Sequence, residues 1–246
     1  MAALIYLSVA VFLLGMGWRI TTWLRAPVPL KIPLTPGPTT AAEVVERLAG
    51  EVFLFRSLFA ADRSLWAAAW VFHVSLVLLA VGHVAGLVVP DFSAGVLGLT
   101  SDQFSHLAHV TGGAFGIIAM LPLIYLFVRR LFIERMRFIS AFSDYFALAL
   151  LFLVIATGNK MRFGEGFDIV KAREFVGGLI VFQPVAPPQD FVFFAHMVLV
   201  CALLAYIPFS KLMHLGGIFF SPTLNQTNIP RKRRHVNPWD DAASRA

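Results

Sequence analysis

Five apolar stretches decide what this chain can fold into, each close to the roughly 20 residues that a helix needs to cross the hydrocarbon core of a bilayer. They cover about residues 2–24, 64–89, 104–128, 141–158 and 190–213. In lipid every backbone N–H and C=O must be satisfied inside the segment, so runs of this kind become helices. The expected fold is all-α: a polytopic membrane protein with five transmembrane helices in a single domain over residues 1–246. With 58% hydrophobic and 14% charged residues, little is left over for a soluble catalytic domain. Met1–Leu24 has no basic residue ahead of its apolar run and no small-residue cleavage site, and Arg19 and Arg25 follow the run. It reads as a retained span rather than a cleaved signal peptide.

Lys and Arg in short loops set topology. They gather in the first connection, residues 25–63 (Arg25, Lys31, Arg47, Arg56, Arg63), in the third (Arg129, Arg130, Arg135, Arg137) and in the tail, residues 215–246, as Arg231-Lys232-Arg233-Arg234. The second connection, around Asp91 and Asp102, has none, and the fourth mixes four basic with four acidic residues. The expected arrangement places the N-terminus outside and the C-terminus in the cytoplasm of a prokaryotic cell, across the inner membrane. The net charge of +6 is then mainly a topology signal, with anionic lipid or an acidic partner as a second use. Nothing else in the chain supports nucleic-acid binding.

The first connection divides in two. Residues 26–40 are too proline-rich for a helix and are expected to be extended. Thr40–Ala61 reads as an amphipathic helix, with Val44, Val45, Leu48, Val52, Phe53, Phe55 and Leu58 opposed to Glu43, Glu46, Arg47, Glu51 and Arg56. Such a helix suits the membrane surface or a docked subunit, or serves as a solvated connector.

Four histidines lie within the second and fifth stretches: His73 and His83 in one, His196 and His214 in the other. Ionisable side chains inside a membrane are rare and mark functional sites. With the two spans antiparallel, His83 faces His196 towards the outer side and His73 faces His214 towards the cytoplasm. Two imidazoles per site are axial ligands for haem iron and leave no open position for substrate. The lone cysteine, Cys201, excludes an internal disulfide, covalent CxxCH haem attachment and a four-cysteine iron–sulfur cluster. The expected cofactors are therefore two haem b groups, non-covalent, held by His73 with His214 and by His83 with His196. In straight helices the 18 residues from His196 to His214 span about 27 Å, whereas the 10 from His73 to His83 span about 15 Å and are turned by about 80°. Pro208 can kink or break the fifth helix, and an iron–iron separation of about 20 Å follows, about two haems to one bilayer thickness.

Other features admit two readings each. Gly82 and Gly86 beside His83, and Gly112, Gly113 and Gly116 in the third span, let either a flat macrocycle or another helix approach. Arg19, Arg129, Arg130 and Lys211 can pair with haem propionates or snorkel as topology anchors. Asp102, His106 and His109 open the third span on the outer side, where they form a candidate site for a quinone (menaquinone or ubiquinone), which needs hydrogen-bond partners and a proton donor or acceptor. Water-satisfied interfacial histidines are the plainer reading, and Asn159, Lys160 and Arg162 compete for the quinone role. Asp144 reads as a helix-start residue.

Phe72-His73-Val74 through Gly82-His83-Val84, and His196 through Ile207-Pro208-Phe209-Ser210-Lys211 to His214, resemble the gamma subunit of respiratory nitrate reductase, a five-helix dihaem cytochrome b. A closer resemblance, over nearly the whole chain, is to the DsrM subunits of the dissimilatory sulfite reductase-associated membrane complex. It rests on Pro29 to Pro36, Ser57-Leu58-Phe59, Ser143-Asp144-Tyr145, and the tail from His214 to Pro222 and on from Arg234 to Trp239. The resemblance implies an electron-transfer subunit of a quinone-linked oxidoreductase. Its expected partners are a cytoplasmic DsrK-like iron–sulfur subunit and further membrane and periplasmic cytochrome subunits. The nitrate reductase family has a lysine in the outer quinone region after span two, but Asp91–Gln103 here has none, so that quinone site does not carry over. Two other readings stand beside this one: the gamma subunit of a nitrate reductase-like molybdoenzyme, and a haem-free anchor or proton-conducting subunit.

Overall fold

The computed structural model describes residues 1–27, 36–164 and 166–228. Most of the proline-rich stretch, the basic run Arg231–Arg234 and the segment to Trp239 lie outside these residues.

In chain order the helices are α1 (Ala2–Arg25), α2 (Ala41–Leu54), α3 (Arg56–Ala61), α4 (Arg63–His83), α5 (Pro90–Leu97), α6 (Ser101–Phe132), α7 (Glu134–Ile139), α8 (Phe142–Phe163), α9 (Ile169–Ile180), α10 (Phe191–Tyr206), α11 (His214–Gly217) and α12 (Pro222–Asn225). No strand occurs among the described residues. Five helical stretches are long and apolar enough to cross a membrane: Ala2–Arg25, Arg63–Val88, Ser101–Phe132, Phe142–Phe163 and Phe191–Phe209. Four match the expected spans closely, and the fifth ends short of the expected 213.

The bundle is serial. α4 packs on α6, α6 on α8, α8 on α10 and α10 on α1. Phe72, Ala119, Leu123, Leu151 and Ile155 form the buried centre where α4, α6 and α8 meet, with Leu203 of α10 against them. Large apolar residues such as Leu7, Leu13, Leu14 and Leu121 stay exposed, as expected for faces solvated by lipid rather than water.

Helix starts are capped by short acceptors. The Asp62 carboxylate accepts from the N–H groups of Ser64 and Leu65 at the head of α4. Thr100 and Gln103 form a reciprocal capping box on α6, and Asp190 accepts from the Phe193 N–H on α10.

The structure departs from the sequence expectation in three places. The helix expected over Thr40–Ala61 is broken at Phe55, which takes left-handed φ 50°, ψ 48° between α2 and α3. The fifth span stops at a 3-10 turn, Ile207–Phe209, followed by extended Ser210, so His214 heads a separate short helix. Pro208 cannot donate to the helical ladder, and the break is built in. Gly15 of α1 lets the Pro208 ring approach closely, since a Cβ there would sit 2.6 Å from it, and Arg19 Nε donates to the Pro208 carbonyl at 3.1 Å. Finally, α9 was not anticipated. Asp168 caps it, and Ala172, Phe175 and Leu179, at helical spacing, bury against Phe193 of α10 and the start of α1.

Candidate functional site

Of the four histidines, His73 and His196 are half-buried and His83 and His214 exposed. His73 and His214 have ring centroids 5.8 Å apart with planes at 79°. His83 lies within electrostatic range of His196. α4, which carries His73 and His83, rests on α6, whereas α10, which carries His196, rests on α8 and α1.

One feature is common to all four. His73 Nδ1 lies 2.7 Å from the Ala69 carbonyl, His83 Nδ1 2.7 Å from Leu79 O, His196 Nδ1 3.1 Å from Val154 O, and His214 Nδ1 3.0 Å from Lys211 O. A carbonyl only accepts, so each Nδ1 carries the proton and donates. The Thr157 hydroxyl, itself donating to Leu153 O at 2.8 Å, adds an acceptor oxygen 2.9 Å from His196 Nδ1. Every Nε2 is then left with its lone pair. Such a tautomer lock is the outer-shell bond that orients metal-ligating histidines and raises their basicity.

Two metal–nitrogen bonds of about 2 Å, in line with two imidazoles, would put the ring centroids about 6 Å apart, close to the 5.8 Å of His73 and His214. Among the described residues no group of three or more His, Cys, Asp or Glu could hold a metal ion. A pair of imidazoles with free Nε2 lone pairs suits iron whose remaining positions come from a macrocycle, and by that donor set the residues fit haem.

The family described as nitrate reductase gamma subunit matches residues 55–228. The chain belongs to that family. It is also similar to the Hdr-like menaquinol oxidoreductase cytochrome b-like subunit of Archaeoglobus fulgidus, 36% identical over 96% of this chain and 82% of that protein. The counterpart in Archaeoglobus profundus is 33% identical over 97% and 82%, and the nitrate reductase gamma chain of Bacillus subtilis 30% identical over 70% and 80%. Within the nitrate reductase gamma family the chain is a multi-pass inner-membrane subunit of cytochrome b type. The matched stretch holds all four histidines and opens at Phe55.

The glycines separate into two groups. A Cβ on Gly82 or Gly86 would meet nothing within 4 Å, so space is open beside His83. Gly112, Gly113 and Gly116 instead receive the side chains of Arg162, Phe163 and Asn159 from α8, which makes them helix-packing glycines.

The basic residues expected near propionates or as free anchors have protein partners. Arg129 pairs with Asp62 at 2.9 Å, Lys211 with Asp144 at 2.8 Å and Arg130 with Asp144 at 3.9 Å. Asp144 also accepts from the Ala141 N–H, so it starts α8 and ties down the His214 segment together.

Of the quinone candidates, Asp102, His106 and His109 are all exposed near the start of α6. Arg162 Nη1 lies 3.3 Å from His109 Nδ1. Arginine only donates, so His109 holds the tautomer opposite to that of the four facing histidines. Asn159 is occupied inside the α6–α8 contact, its amide 3.1 Å from Met120 Sδ.

Two residues were not singled out in the sequence for the places they hold. Arg173 of α9 donates to the Gly86 carbonyl at 2.8 Å, within the π-helical turn Val84–Val88 that follows His83. Phe55, read there as one apolar residue of a continuous helix, sets its ring edge-on to His73 at 5.2 Å. Arg173 had only a weak sequence signal, the Asp168 cap and apolar spacing of α9. The position of Phe55 had none.

Proposed function

We propose that this protein is a dihaem cytochrome b, the electron conduit and membrane anchor of a quinone-linked oxidoreductase complex. The observation that carries the reading is the shared tautomer lock: four histidines, three inside the spans and His214 just beyond the end of the fifth, each with Nδ1 bound to a carbonyl and its Nε2 lone pair left to act as a ligand. His73 with His214, and His83 with His196, would each hold one haem b. Bound there, haem b supplies reversible one-electron transfer. The chain's own residues fix the imidazole planes and keep the ligand nitrogens unprotonated.

The end of the bundle carrying Arg25, Arg129 and Arg130 is assigned to the cytoplasm from its basic loops, which puts the His73–His214 pair on that side. There the partner is a DsrK-like iron–sulfur subunit of dissimilatory sulfur metabolism, as the resemblance of the tail and of Ser143-Asp144-Tyr145 implies. At the other end the protein exchanges electrons with the quinone pool, with Asp102, His106 and His109 as the candidate contact. The names of the Archaeoglobus relatives, which specify menaquinol, support a menaquinone-type substrate.

The test is a dithionite-reduced spectrum with haem quantitation on the purified chain. The expected result is a b-type spectrum at about two haems per chain. A colourless protein would favour the haem-free anchor. Copurification of a molybdopterin protein in place of an iron–sulfur subunit would move the assignment to the nitrate reductase-like reading, which the family match also supports.

A further inference from the structure

Phe55 stands in a backbone conformation that a bulky side chain rarely adopts, φ 50°, ψ 48°. Glycine would take this turn without strain, and such outliers persist where the surroundings over-determine them. Here the surroundings do so. The Phe55 N–H donates to Gly50 O. Trp66 Nε1 of α4 donates to the Leu54 carbonyl at 2.8 Å, and Trp70 Nε1 to the Phe53 carbonyl at 2.9 Å. On the far side, Ser57 donates its hydroxyl to Glu51 at 2.6 Å. The end of α2 is thereby clamped to the flank of α4, and the half-buried Phe55 ring meets the His73 imidazole at 5.2 Å and 89°. The same imidazole also meets the Phe72 ring at 5.3 Å and His214 at 5.8 Å.

We infer that Phe55 is a positioning residue for His73: the strained turn between α2 and α3 presses the ring against the imidazole and fixes its rotation about the Nε2 axis. The inference rests on the reading of His73 and His214 as a haem site.

The experiment compares the full chain with Phe55→Gly, which keeps the turn and removes the ring, and with Phe55→Tyr, which keeps both. Optical α-bands, low-spin EPR g-values and midpoint potentials are assigned to each haem with His214→Ala and His196→Ala. The expected result for Phe55→Gly is a shifted g-value and potential for the His73–His214 haem, an unshifted His83–His196 haem, and parent values in Phe55→Tyr. Parent-like signals in Phe55→Gly, or equal shifts in both haems, overturn the inference. If Phe55→Gly does not assemble, Phe55→Leu is expected to show the same selective shift, and parent-like signals in it overturn the inference as well. A parent chain without a haem at His73–His214 overturns the site reading itself, an outcome distinct from an unshifted Phe55→Gly.

Discussion

Lys211 Nζ sits 2.8 Å from Asp144 Oδ2 and joins the segment after the Pro208 break to the first turn of α8. His214 lies one turn beyond that lysine and bonds its carbonyl, so the ion pair holds the ligand's backbone as well as the helix ends. Lys211→Met leaves the buried Asp144 carboxylate with the weaker Arg130 contact at 3.9 Å. Lys211 is largely exposed, which discounts its share, and the expected loss is about 1–3 kcal/mol. Haem retention at His73–His214 on mild heating is the measurement, and it should fall while the other site holds.

The pairing of ligands is open to a double-substitution test. His83→Ala and His196→Ala should each remove one haem, and combining them should remove no more. His83→Ala combined with His214→Ala should leave none. Haem quantitation on the four variants checks this, and loss of both haems from a single substitution would contradict the pairing.

Acid should loosen the head of α4. The Leu65 N–H first, the Ser64 hydroxyl next, and the Arg129 guanidinium beyond them hold the Asp62 carboxyl at about 2, down from 3.8. A folded-state value below the unfolded one means the carboxylate's contribution is complete above the unfolded value and disappears as pH falls to about 2. Thermal unfolding followed against pH should show that loss in the parent, and Asp62→Asn should lack it.

The two groups of glycines predict opposite behaviour. On Gly116 any Cβ collides with the Asn159 side chain, so Gly116→Val should destabilise the α6–α8 contact by about 1–3 kcal/mol. On Gly86 a Cβ meets open space, so Gly86→Val should insert and fold like the parent. Gly86 lies three residues beyond His83, in the π-helical turn that follows it, so a side chain filling that open space should lower haem content at His83–His196. Membrane yield and haem content, read together, separate the two cases.

Arg173 satisfies a carbonyl that a π-helical turn takes out of the regular ladder. Arg173→Ala strips that acceptor of its partner, at a cost of about 1–3 kcal/mol. Amide hydrogen exchange should accelerate in the Val84–Val88 turn and in α9, while α6 and α8 stay protected.

The amino-acid sequence alone carried the five spans, because each is a run of apolar residues long enough to cross a bilayer, and lipid leaves a backbone few choices. It also carried the histidines as a group, since a polar ligand in such a run stands out without any knowledge of packing. The helix start at Asp144 and the break at Pro208 were legible for the same reason, being local chemistry. What depended on neighbours distant in the chain was not legible. Gly116 is a packing glycine and Gly86 an open one only because α8 reaches the first and not the second. Lys211 is an anchor for His214 because Asp144, 67 residues earlier, starts the adjacent helix. Phe55 follows a helical apolar spacing that predicts a continuous helix, and the broken, left-handed turn is held by bonds that spacing does not show, among them those from the tryptophan N–H groups of α4. Local periodicity fixes which residues become helix. Which carbonyl, ring or carboxylate then meets each histidine is decided by how the helices stack.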